Sequence, residues 1–206
     1  MQISRRSLLA VVPLLAISGP ARAAAADAAT GERSLGAADA PVTALDFYSL
    51  TCPHCAAFVR ETLPRVKSEL IDTRKLRLVF WDFPLDQLAL TAAMVALALP
   101  PERYEPFTGA LLATQDRWAF ARGVNSTEEL AKMAALAGLP RQAFNQAIAN
   151  TALKNWILER QDYAQKTYGI DATPSFVFNG PAAKDHRESG ALGYESFARA
   201  VAAAAG

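Results

Sequence analysis

Both cysteines of this 206-residue chain fall within four positions, Cys52-Pro53-His54-Cys55, and the sequence has no other thiol. That pair constrains the fold more than any other feature. A bridge across so short a loop is a poor structural staple, because stabilisation by cross-linking grows with the length of loop closed. A zinc site needs about four ligands. Beyond the pair the chain offers only His54, inside the motif, and His186, in the polar run Lys184-Asp185-His186-Arg187, which reads as solvated surface. No metal or cofactor is therefore expected, and the chemistry belongs to sulfur. The core must form without disulfide scaffolding, and a chain of this length with 51% hydrophobic residues can supply one.

The surroundings of the pair alternate between strand and helix patterns. Residues 42–49, Val-Thr-Ala-Leu-Asp-Phe-Tyr-Ser, are β-branched and aromatic and read as a buried strand. After the cysteines, Phe58, Val59, Leu63, Val66 and Leu70 recur at helical spacing. Pro53 suits a first helical turn, and Pro64 is expected to bend the helix. Residues 76–83 read as a second strand, so the opening is β-α-β with the CxxC at a strand-to-helix junction. From Pro84 to about Gly169 nearly every signal is helical. Among them, 88–99 reads as a buried helix, too short for a membrane span, and Ser126-Thr127-Glu128-Glu129 as a capped helix start. Strand chemistry returns at Thr173-Pro174-Ser175-Phe176-Val177-Phe178. Asn179-Gly180 gives a turn signal, a short strand is expected at 188–191, and a closing helix at 194–205. Phe47, Tyr48, Phe58, Trp81, Phe83, Trp118 and Trp156 read as packing residues.

The first 23 residues carry Arg5-Arg6, an apolar run from Leu8 to Ile17, and Ala21-Arg22-Ala23, the order of a cleavable secretory signal. Ser4-Arg5-Arg6-Ser7-Leu8-Leu9 is compatible with twin-arginine export and with the general secretory route. Without the signal the chain has eighteen basic against twenty acidic side chains. A near-neutral balance argues against electrostatic nucleic-acid binding. Export places the pair where a disulfide persists.

A cysteine at a helix N-terminus meets backbone N–H groups and the positive end of the helix dipole, which favour thiolate. Cys52 is thus the candidate nucleophile, Cys55 the resolving thiol one turn on, and His54 a source of a donor or positive charge. A lowered thiol pKa stabilises the dithiol, making the disulfide the stronger oxidant.

These residues resemble a known family. Asp39-Ala40-Pro41-Val42-Thr43, Phe47-Tyr48-Ser49, Cys52-Pro53-His54-Cys55 and the run from Gly169 to Val177 are similar to the DsbA-like thiol:disulfide interchange proteins of the thioredoxin superfamily. The resemblance implies an α/β thioredoxin fold interrupted by an all-helical domain. The corresponding division is a signal at 1–23, a lead-in at 24–39, a thioredoxin-like domain at 40–84 and 169–206, and a helical insertion at 85–168. It also implies that Pro174 is a cis-proline packed against the CxxC, that Thr173 offers its backbone to an extended substrate, and that Asp46 is the buried acid serving the resolving cysteine. Many family members have Glu at that position, and a strand-edge acid facing water is the alternative reading of Asp46.

The expected activity is periplasmic disulfide donation to reduced, unfolded exported proteins by a monomer, with reoxidation by a DsbB-like membrane quinone reductase. An isomerase or reductase of the same fold, or a non-catalytic copper- or peptide-binding module, remains open at this point.

Overall fold

The computed structural model describes residues 30–206, so the expected signal at 1–23 lies outside the described residues. Its centre is a five-stranded sheet in the order β1-β3-β2-β4-β5. The strands are β1 (Arg33–Leu35), β2 (Val42–Tyr48), β3 (Leu76–Asp82), β4 (Ser175–Gly180) and β5 (Ala183–Ser189). β2 and β3 run parallel, Asp46 opposite Phe80 and Tyr48 opposite Asp82. β4 is antiparallel to β2, and β1 is antiparallel to β3. The segment read as a lead-in thus contributes an edge strand. Its Arg33, 5% exposed, donates to the carbonyl of Leu97 and lies over the Tyr104 ring. Three residues are too few for a periodicity to show, which is why the strand is silent in the sequence.

The helix after the CxxC is α1 (Pro53–Glu61). It breaks at Thr62 and resumes as α2 (Leu63–Val66), followed by a π-helical turn, Lys67–Ile71. Pro64 sits in the first turn of α2, where its missing N–H costs nothing. The proline therefore marks a restart, where a bend is expected from the sequence.

Between β3 and β4 the helices are α3 (Gln87–Leu97), α4 (Pro101–Ala113), α5 (Gln115–Trp118), α6 (Ser126–Leu136), α7 (Arg141–Ile148) and α8 (Thr151–Tyr168). α3 is almost wholly buried, as its all-round apolar sequence requires. Asp86 caps it, Oδ1 accepting from Ala89 N at 2.7 Å. α6 begins one residue earlier than its Ser-Thr-Glu-Glu signal suggests: Asn125 is the cap, accepting from the N–H groups of Thr127 and Glu128. α8 ends on Gly169 in the left-handed conformation, φ 65°.

The hairpin differs from the sequence expectation. Asn179-Gly180 is not the turn: Gly180 pairs with Ala183 in the ladder, Pro181 and Ala182 make the connection, and β5 ends at Ser189. The glycine is needed for a close approach by α9 (Tyr194–Ala205), since a Cβ on Gly180 would stand 2.3 Å from the carbonyl oxygen of Ala204. The large core occupies the sheet face formed by Val42, Ala44, Tyr48, Leu76, Leu78, Phe80, Phe176 and Phe178. A smaller cluster of Phe47, Phe83, Val177, Ala164 and Ile170 fills the opposite face under α8. Trp118 is fully buried, whereas Trp81 and Trp156 are half-buried.

Candidate active site

β2 delivers the chain to Cys52, which caps α1 with an extended backbone (φ −83°, ψ 119°) while Pro53 takes the first helical position. The Cys52 carbonyl accepts the first helical bond, from Ala56 N at 3.2 Å. Both cysteines are free thiols. Cys52 exposes 4% of its surface and Cys55 1%, whereas Pro53 and His54 are exposed. The nucleophile candidate is therefore recessed beside an exposed Pro-His rim.

The segment 173–174 arrives from the other side of the chain. The Thr173–Pro174 peptide is cis, and Cys52 Sγ donates to the Thr173 carbonyl at 3.2 Å. The two segments quoted together for the family resemblance, 121 residues apart, are thus in contact. The Thr173 side chain is 9% exposed, and its hydroxyl is buried without a hydrogen-bond partner among the described residues.

Electrostatics separate the two thiols. The Cys55 thiol hydrogen-bonds the Cys52 sulfur and is the main cause of a Cys52 pKa lowered to about 5. Partial burial opposes the shift. The Thr173 side chain and the backbone N–H groups of Cys55 and His54 add to it. His54 thus acts on the sulfur through its main chain. Burial, with the neighbouring Cys52 sulfur, pushes the Cys55 thiol far up. Below Cys55, Asp46 is 3% exposed, which removes the reading of it as a strand-edge acid facing water. Burial first, then the nearby Asp82, raises its pKa to about 8. Asp82 is itself raised to about 6 by burial, opposed by hydrogen bonds from Tyr104 and Tyr48. Tyr104 donates to Asp82 Oδ2 at 2.9 Å, and the Tyr48 and Tyr104 hydroxyls are 2.7 Å apart.

Three further residues hold the loop that precedes Cys52. Gln115 Nε2, from the helical block, donates to the carbonyls of Leu50 at 2.8 Å and Cys52 at 3.1 Å. Thr51 Oγ1 donates to Asp86 Oδ2 at 2.7 Å, so the cap of α3 also anchors the loop. Sequence reasoning missed all three. Asp86, standing just before an apolar helix, carried a cap signal; Gln115 carried none.

The comparisons agree with this geometry. A family model described as thioredoxin matches residues 28–201. A Wolbachia pipientis α-DsbA1 structure, a double cysteine-to-alanine variant, superposes with a TM-score of 0.77 at 31% identity over 84% of this chain and 90% of that one. A Rickettsia prowazekii protein named as a protein-disulfide oxidoreductase is 28% identical over 147 residues, 71% of this chain and 53% of its own length. The chain thus spans about half the length of the Rickettsia relatives it matches. Disulfide bond formation protein D of Bacillus anthracis is named among the relatives too, 27% identical over 77% of this chain and 74% of its own. With a thioredoxin sheet interrupted by helices, a CxxC at the start of α1 and the carbonyl of a cis Thr173–Pro174 peptide against its sulfur, the chain belongs to the thioredoxin family, on its DsbA-like branch.

Proposed function

We propose that this chain is a periplasmic dithiol oxidase, donating its Cys52–Cys55 disulfide to reduced, unfolded exported proteins. The observation that carries the reading is the asymmetry of the two thiols: Cys52 lowered to about 5 at a helix start, Cys55 buried with its pKa pushed up. An acidic, recessed sulfur is a good leaving group and a stable thiolate, so the dithiol is favoured and the disulfide oxidises its partner. A substrate thiolate attacks Cys52 of the disulfide form, the Cys52–Cys55 bond breaks, and Cys55 leaves with the electron pair. A second substrate thiolate then attacks the substrate sulfur of the mixed disulfide and expels Cys52 as thiolate.

Thr173 offers its carbonyl beside the sulfur for an extended substrate segment, and Asp46 supplies the proton Cys55 needs. Two exposed apolar side chains, Leu85 and Phe120, stand on segments tied to the active-site loop and suit unfolded chains. Leu85 N bonds Ser49 Oγ, and Phe120 N bonds the carbonyl of Gln115. Supporting the exported setting is the signal-like order of residues 1–23. Each cycle leaves the pair reduced, so a DsbB-like membrane quinone reductase is the reoxidant this reading requires, and the working form is a monomer.

The test is to express Cys55→Ser in the exported compartment and capture mixed disulfides. Trapped, normally disulfide-bonded clients support the oxidase. Clients trapped only when already misbridged would favour the isomerase instead, and a redox potential near that of thioredoxin would remove the oxidase bias.

A further inference from the structure

Two acids, one buried and one partly exposed, line one small cavity. Between α1, α4 and the sheet lies a space of about 10 Å³, enough for about one water. Asp46 and Glu105 are its only charged lining residues among those described. Cys55, Thr108 and Pro174 also line it, and Phe58, Phe80 and Leu112 close it with apolar surface. Asp46 Oδ1 is buried and has no hydrogen-bond partner among the described residues. The Glu105 side chain is 24% exposed and pairs with Lys67 Nζ at 3.1 Å. An open depression of about 370 Å³ on the outer surface, edged by Pro64, Lys67, Ser68 and Asp72, shares Val59, Leu63 and Glu105 with the cavity. Glu105 therefore belongs to both walls, one wet and one dry.

We propose that Glu105 passes protons between solvent and Asp46, so that the Cys55 proton enters and leaves through the α1–α4 gap and not past Cys52. The inference rests on the reading of Cys55 as the thiol that leaves during disulfide donation. In that step the substrate thiolate's lone pair forms the new bond to Cys52 and the Cys52–Cys55 pair departs on the Cys55 sulfur. Asp46 gives its proton to that thiolate and becomes a buried carboxylate. Glu105, a carboxylate beside Lys67 at rest, takes a proton from solvent and passes one through a cavity water to Asp46, returning to the carboxylate. The substrate thiol released an equal proton on ionising, so the exchange balances without any further oxidant or reductant.

Burial keeps Asp46 protonated to about pH 8, so it holds the proton at neutral pH. The groups facing it are Asp82 from β3, with Tyr48 and Tyr104 on that carboxylate, and Cys55 of α1. Facing Glu105 is Lys67 from the π-helical turn, with Asp72 across the depression.

The experiment is single-turnover oxidation of a short dithiol peptide by the disulfide form, from pH 5 to 9, in water and in deuterium oxide. Glu105→Gln is expected to slow the reaction about tenfold, less than the loss of a group that transfers the proton directly to the reacting atom, and to raise the solvent isotope effect. Glu105→Asp should retain most of the rate, and formate should restore rate to Glu105→Ala. Glu128→Gln, an exposed residue paired with Arg141 on α6 and α7, should match the parent. The route is overturned if Glu105→Gln keeps the parent's rate, pH profile and isotope effect, or if Gln and Asp slow it equally. A parent that transfers no disulfide to the peptide would instead overturn the oxidase reading, and the route with it.

Discussion

Gln115 Nε2 lies 3.1 Å from the carbonyl oxygen of Cys52, so a side chain of the helical block holds the main chain of the candidate nucleophile. The same nitrogen holds the Leu50 carbonyl at 2.8 Å, and the residue is 7% exposed. The helices between β3 and β4 are therefore attached to the reacting sulfur by more than packing.

Gln115→Ala leaves both carbonyls short of a donor in a buried setting, where each unmade bond costs about 1–3 kcal/mol. The variant should unfold at lower denaturant, by roughly 2 kcal/mol in total. Its Cys52 thiolate absorbance should titrate at higher pH than the parent, because the loop that presents the sulfur to Cys55 and Thr173 loses its anchor. An unchanged titration would reduce Gln115 to a packing residue.

Gly180→Ala tests the close approach of α9 to β4. The added Cβ meets the Ala204 carbonyl oxygen at 2.3 Å and its carbon at 2.9 Å, both main-chain atoms. The helix end must shift, at a cost of about 1–3 kcal/mol, read as a lower melting temperature. Disulfide exchange should survive, since the clash is with the main chain at Ala204, at the end of α9.

Much of this was written in the sequence, and the limits are physical. The β-α-β opening shows through because β2 and β3 are dense in apolar and β-branched residues and α1 has a clear helical period. β1 is silent because its three residues gain their strand conformation from pairing with β3. Gly180 reads as a turn residue because a glycine looks the same whether it serves a left-handed turn or a close contact. Thr173, Pro174 and the cysteines could be paired only through the family resemblance, since nothing local announces a contact across 121 residues. Gln115 and Glu105 were invisible: a polar residue in a helix reads as solvated until the neighbouring element is known.

Cys52 should titrate in the reduced protein with a midpoint near pH 5, followed by thiolate absorbance. Because the folded value lies below that of a free thiol, its contribution to the reduced form is complete above the unfolded thiol's pKa and is lost as pH falls through about 5. The disulfide form has no such group. The reduced protein should therefore melt above the oxidised protein at pH 7, and the gap should narrow towards pH 4. A gap that stays constant across this range would contradict the depressed thiol.

Asp46 runs with the opposite sign. Its folded value is raised to about 8 from an ordinary 3.8, so the native state holds a proton that the unfolded chain releases between those limits. Stability from this group is fully present below about pH 4 and declines as pH rises to about 8, beyond which it is flat. Asp46→Asn keeps the shape without the ionisation. It should match the parent's stability near pH 4 and exceed it by about 2 kcal/mol or more at pH 8, given the cost of a buried carboxylate. The same variant should slow peptide oxidation by the disulfide form, because the Cys55 thiolate then lacks its nearest proton donor. Denaturant unfolding of the two proteins at pH 4 and pH 8, beside the stopped-flow rate, reads both effects. Equal stability at pH 8 would mean that water reaches the Asp46 carboxylate and that the acid is not held in its neutral form.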